Sequence, residues 1–308
     1  MSRISRAYFP SSASSRSETM YYAFMFTRDL PLGLMPFRSR RRGTAFNAKL
    51  ARQNAQLETQ LITFLHVDGY GGHDLPDAII EFVDDAAQYL GAHGEMYFEI
   101  VDDDSSGSVL AGKSLEILPQ GKILHLFGKY IQLVPVKDWK KGEPKAIFIP
   151  AKNIWHLALP KKLGSPRKHR ALIRKLNHLA KPMPDFASKD GKLGGSAQYD
   201  FMLDHKRKEI AVEYLTKKWG SIPSLRQIKG TTEYYYIVHS LQFSYSQALI
   251  REHIIAELNS ILARLGTNNT VKVEGLSFAK DIKDAIRKMQ RGEIGFAEAI
   301  AATKVEDQ

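Results

Sequence analysis

The densest run of charged side chains is Arg167-Lys168-His169-Arg170-Ala171-Leu172-Ile173-Arg174-Lys175. Arg167, Arg170 and Arg174 follow one another at helical spacing and so share one side of a helix, with Lys175 near them and Lys161 and Lys162 just upstream. Leu172, Ile173, Leu176 and Leu179 make the opposite, apolar side. A cationic ridge of this density repels itself unless an anion or an acidic neighbour faces it. The chemistry it suits is contact with phosphate. A second run, Arg38-Ser39-Arg40-Arg41-Arg42, offers the same groups without helical spacing. We therefore read Arg38, Arg40, Arg41, Arg42, Lys161, Lys162, Arg167, Lys168, Arg170, Arg174 and Lys175 as facing a nucleic acid; a solvated linker and a solvated helix face are the plainer readings of the two runs.

Carboxylates supply the competing chemistry. Glu95, Glu99 and Asp102, with Lys113 nearby, are the residue types of a metal-dependent nuclease, although nothing in their spacing fixes them relative to one another. His66, Asp68, His73 and Asp74 crowd a Gly-rich stretch, but without helical or strand spacing they read as a loop rather than a metal site. Asp77, Glu81, Asp84 and Asp85 fall on one side of a helix and read as a solvated face. The sequence has no phosphate-binding Gly-Lys loop, nucleophile elbow, Gly-rich dinucleotide turn or His-Glu-x-x-His pair. No catalytic constellation, cofactor or metal is expected, and His156, after Ile154-Trp155, reads as a packed or hydrogen-bonded histidine.

Composition narrows the classes further. With 308 residues and 44% hydrophobic content the chain is long enough to bury a core. The absence of cysteine excludes disulfides, thiolate metal sites and a cysteine nucleophile. No apolar run reaches the roughly 18 residues of a membrane span, and the Arg- and Ser-bearing start has no apolar signal core. The net charge of +11 is uneven: residues 1–52 and 161–192 each carry ten basic side chains against two acidic, whereas residues 53–160 carry eight against fifteen. Two basic segments on a nearly neutral body suit a polyanion such as DNA or RNA. A membrane surface fits less well, because neither segment is a clean amphipathic helix with aromatic anchors.

The elements that must position these groups can be read in order. Residues 1–45 read as a largely irregular basic arm, and Phe46 to Phe64 as a helix before the Gly-rich loop that ends at 74. Asp74 as N-cap and Pro76 in the first turn start a helix over 75–90, ended by Gly91. A β-rich module follows over 95–160, with extended runs at Met96–Val101, Ser114–Leu118, Ile123–Pro135 and Lys145–Pro150. Its partial alternation suits short strands, some buried on both faces. Ser165 and Pro166 open the basic helix, and the segment 161–192 ends at a Pro- and Gly-rich break. The remainder, 193–308, is helical, with helices near 199–219, 279–291 and 296–302, a strand at 271–274 and one very long helix over 232–265. That rod of about 50 Å must cross a larger assembly or brace several layers of one subunit. Two of Tyr234, Tyr235 and Tyr236 at its start are expected in the core. The fold class is α+β and mainly helical, a β-rich module standing between two helices.

The order of these elements resembles that of tailed-bacteriophage portal proteins. Gly91-Ala92-His93-Gly94-Glu95-Met96-Tyr97 is similar to the family's helix followed by Gly-Asn-Ala-Tyr, and Ile117-Leu118-Pro119 to its Leu-x-Pro-Leu region. Ile149-Pro150 to Leu157 resembles the strand ending in Ile-Ile-His, Leu163-Gly164-Ser165-Pro166 the Gly-x-Ser-Pro helix start, and Gly292-Glu293-Ile294 with Glu298 the Gly-x-Ile-Thr pattern preceding a Glu. The resemblance spans roughly residues 75–300 and implies a portal-like fold. In it, 75–94 and 161–192 would carry the stem helices, 95–160 the clip, and 46–74 and 193–308 the wing and crown side. It implies a homo-oligomeric ring, usually of about twelve subunits closed by one repeated interface, at a capsid vertex in the virion, assembled in the host cytoplasm. Double-stranded DNA would be packaged and ejected through its axis, with a packaging motor (terminase), the major capsid protein and neck or adaptor proteins as partners, and no membrane. The rival readings are a metal-dependent nucleic-acid-processing enzyme and another capsid or neck adaptor with a basic arm.

Overall fold

A computed structural model of the chain describes residues 21–37, 45–65, 74–102, 110–118, 122–134, 145–180, 201–221 and 232–303. The arginines at 38, 40, 41 and 42 and the histidines at 66 and 73 lie outside them. The fold is mixed α+β, and the described residues form three small antiparallel sheets set among helices.

The centre is α3 (Leu75–His93). Asp74 caps it by accepting from the Asp77 backbone N–H at 2.9 Å, and Pro76 sits in the first turn, where no intrahelical donor is needed. Leu75, Ile79, Phe82, Val83, Ala86 and Leu90 are buried against α1 (Tyr21–Asp29), α2 (Ala55–Leu65), α4 (Pro166–Leu179) and α6 (Glu233–Arg264). Trp155 and Phe98 extend this core into the β module, stacked on each other at 5.0 Å, and Trp155 stacks on Phe82 at 5.6 Å.

Two sheets make up that module. β2 (Glu95–Asp102) is flanked antiparallel by β3 (Lys113–Ile117) and β7 (Ile154–Ala158). β4 (Lys122–Leu126), β5 (Lys129–Leu133) and β6 (Ala146–Pro150) form the second sheet, packed on the first around Leu118, Ile149 and Ile154. The extended run expected over 123–135 is thus a hairpin, turned at Phe127-Gly128 with both residues at positive φ, the backbone of a two-residue primed turn.

The long helix α6 runs 32 residues, about 48 Å at 1.5 Å per residue. Within the chain it is a brace, packed against α3, β7, α7 (Ala279–Gln290) and α8 (Phe296–Ala301). Gln247 donates to the Leu30 and Leu32 carbonyls at 3.0 and 2.6 Å, and Arg251 donates to Leu34 at 3.0 Å and to Ser277. Further along, Asn259 holds both backbone groups of Val271 in β8 (Val271–Glu274), and Arg264 donates to the Ile154 carbonyl at 2.9 Å.

Four expectations are corrected. Residues 21–37, read as part of an irregular arm, contain α1, whose Tyr22, Ala23 and Phe26 are buried with Leu30, Leu34 and Met35. Their one-turn spacing was diluted by the Ser- and Arg-rich residues around them. The helix read from Phe46 starts at Ala55, because Asn47–Leu50 pairs with Val271–Glu274 as β1, more than 200 residues away in sequence. Tyr234 and Tyr236 are exposed and Tyr235 half-buried, its hydroxyl donating to Glu213 of α5 (Phe201–Thr216); the first turn of α6 projects past the core. The acidic face of α3 is only partly solvated: Asp77 is buried, Glu81 and Asp84 half-buried and Asp85 exposed, since α3 is surrounded on most sides.

Candidate nucleic-acid interface

Where α3 ends and β2 begins, the backbone leaves no room for side chains. Gly94 closes α3 at φ +81, and a Cβ there would stand 3.0 Å from the Pro166 Cα and 3.1 Å from the His169 Cβ. Gly91, one turn earlier, faces Leu30 Cδ2 at a distance of 3.1 Å from its own would-be Cβ. These two glycines let α1 and the start of α4 lie directly on the α3–β2 junction.

Ser165 caps α4, its hydroxyl accepting from the Lys168 N–H at 3.4 Å, and Pro166 occupies the first turn. His169 pins the helix down. Its ring is buried between Phe26 and Trp219, and Nε2 donates to the Gly91 carbonyl at 2.6 Å. Burial pushes the ring down to about 4, against the pull of the Gly91 hydrogen bond, so at neutral pH it is an uncharged strut. Leu176 completes the buried side, with Leu172, Ile173 and Leu179 partly covered.

On the other side Arg167, Arg170, Arg174 and His178 are all exposed, at successive spacings of three, four and four residues, and form one stripe. From Arg167 to Arg174 the helix rises about 10 Å, close to three base-pair steps at roughly 3.4 Å each. Lys168 and Lys175 flank the stripe, and Lys161 and Lys162 lie exposed in the turn before the helix.

These cations are not equivalent. Arg170 forms an ion pair with Glu95, the first residue of β2. Glu95 also accepts from His156 Nε2 at 3.0 Å and from the Tyr97 hydroxyl at 3.3 Å, while the Tyr97 and His156 rings stack at 4.4 Å. The His156 hydrogen bond, with help from Arg170 and against partial burial, holds the Glu95 carboxyl down to about 2. Burial and the neighbouring Glu95 charge raise the Tyr97 phenol well above its usual range. Arg170 is therefore a tether between α4 and β2. Among the described residues Lys161, Lys162, Arg167, Lys168, Arg174 and Lys175 have no ion-pair partner.

The carboxylates of the nuclease reading do not converge. Glu95 and Glu99 point to the same side of β2 but stand about 14 Å apart, four residues at about 3.4 Å each. Glu99 is buried, and Asp102 lies on the opposite side, paired with Lys113 at 2.8 Å. Of the His and Asp cluster before α3, only Asp74 is described, and it is the helix cap. Sequence reasoning missed the roles of His169 and Glu95 in seating α4. The signal for His169 was its place on the Leu172–Leu176 side of the helix.

No family model and no curated protein matches the chain. Among the described residues no helix is long and apolar enough to cross a membrane.

Proposed function

We propose that this chain is a subunit of a portal-like ring that conducts double-stranded DNA at one vertex of a tailed-phage capsid. One observation carries the reading: among the described residues Arg167, Arg174, Lys168 and Lys175 stand exposed without carboxylate partners, on a helix locked at its base by Gly94, His169 and the Arg170–Glu95 tether. Fixed cations spaced along an exposed helix attract phosphates wherever they pass, and among the described residues no base-reading element accompanies them. DNA moving through a channel needs contacts of that kind, strong enough to neutralise and too unspecific to stall. The order helix, β module, basic helix and long brace supports the same reading through the family resemblance. On it, the packaging motor, the major capsid protein and neck or adaptor proteins are the partners, and the particle vertex is the place of action.

Electron micrographs of purified protein test the reading directly, since closed rings with a central hole are expected. DNA affinity supplies the second measure: Arg167→Ala with Arg174→Ala should weaken binding alike for all sequences. It should also make the slope of log K against log salt shallower by about one for each phosphate no longer neutralised. An isolated subunit that cleaves DNA with magnesium or manganese would favour the enzyme reading, and density spread over the whole shell would favour another capsid protein.

A further inference from the structure

The two sheets of the β module meet in an apolar layer of Leu118, Ile149 and Ile154, and aromatic rings carry that layer out to solvent. Tyr97 of β2 stands opposite His156 of β7, and the two rings stack at 4.4 Å, 8° from parallel. Tyr130 of β5 stands opposite His125 of β4, with the rings stacked at 4.5 Å. Packing of one sheet on the other sets the two tyrosines edge to face at 6.0 Å. The result is a ladder of rings, His125, Tyr130, Tyr97 and His156, running across both sheets.

Closing the core accounts only for the middle of the ladder. Tyr97 and Tyr130 are half-buried against the apolar layer, but His125 and His156 are exposed, and among the described residues no further ring stacks on either. An imidazole at the open end of a stack offers the next place in it to another flat ring. Cations stand beside both pairs of rings. His156 and Arg170 hold the two oxygens of one carboxylate, Glu95, and Arg167 and Arg174 follow one turn to either side of Arg170, about 5–6 Å away between Cβ atoms. Arg264, exposed and donating to the Ile154 carbonyl, lies close enough to Tyr130 for its charge to bear on the phenol. The chemistry that brings a flat ring and a negative charge together, one helical turn apart, is a nucleotide whose base is free of its own stack.

We infer that the ladder ending in His156 and His125 is a stacking platform for the unpaired bases of a DNA strand whose phosphates lie on the α4 cations. The inference rests on the nucleic-acid reading of α4 and not on ring closure. Stacking takes any base, so the platform adds grip without reading sequence.

Fluorescence anisotropy on the full chain tests it with single DNA strands of about 12 nucleotides, one carrying every base and one abasic throughout. The complete strand should bind about tenfold or more tightly, with the same slope of log K against log salt, because the phosphates are equal in number. His125→Ala with His156→Ala should bring the complete strand down to the abasic level. His156→Phe keeps a ring while giving up the hydrogen bond to Glu95, and should retain the preference. His125→Ala alone changes only an exposed hairpin side chain and should lower the preference severalfold, so it tests the platform even where His156→Ala fails to fold. A 2-aminopurine at the centre of the strand should lose fluorescence on binding, as a stacked base does, and keep it in the double variant. Equal affinity for complete and abasic strands overturns this inference and leaves the α4 reading standing. A chain that binds no nucleic acid overturns both. Preference for the matching RNA strand overturns the assignment to DNA in favour of RNA.

Discussion

Arg167 and Arg170 stand one turn apart on the same helix face, yet Glu95 makes them different residues. Truncating Glu95 to Ala leaves Arg170 and His156 without their acceptor and should cost about 1–2 kcal/mol in urea unfolding at pH 7. Because folding lowers the Glu95 carboxyl from its ordinary 4.5 to about 2, its contribution is fully present above 4.5 and is lost as pH falls through about 2. Asp84 has the opposite sign. Burial, then the neighbouring Asp85, raises it from 3.8 to about 7, and its Oδ1 is buried without a hydrogen-bond partner. The neutral form is favoured in the folded protein, so the stability it supports is present below 3.8 and lost as pH rises through about 7. Asp84→Asn should therefore raise the melting temperature at pH 8 by roughly 2–4 °C. At pH 4 the gain should be nearly absent, as scanning calorimetry would show.

Elements meet where side chains are missing, and Gly94 is the clearest instance. Gly94→Ala places a methyl 3.0 Å from backbone at φ +81, which should cost about 2–4 kcal/mol or abolish soluble protein. Phe127→Gly should do the reverse, stabilising the isolated subunit by about 1 kcal/mol because glycine accepts the left-handed turn freely. Much of this level was legible in the sequence. α3, α4, α6, β8, α7 and α8 have ends within a few residues of those expected, because Asp74, Ser165, Pro76, Pro166 and the apolar periodicity are local signals. β1 and α1 were not legible. A four-residue strand whose partner is Val271–Glu274 has no local signature. The stripe of α1 becomes meaningful only against α3 and α4, which bury it. The site was half legible: spacing alone put the arginines of α4 on one face, but the partner that removes Arg170 from it sits 75 residues away in β2.

At the scale of the whole molecule, the exposed cations of α4 stand on a helix fixed at its base, so they can be removed without disturbing the fold. Neutralising Arg167 and Arg174 should leave assembly intact and lower DNA affinity, measurable as a shallower salt dependence. The grip of α6 has a consequence for how the chain folds as it is made. Gln247 and Arg251 hold the carbonyls of Leu30 and Leu34 from 217 residues further along, and β1 waits for β8. On the ribosome, then, α1 and β1 emerge long before the groups that fasten them are made. Pairings this distant in sequence slow folding: the hydrophobic side of α1 stays open to chaperones until α3 and α4 have emerged, and β1 lacks its partner strand until translation has passed residue 274.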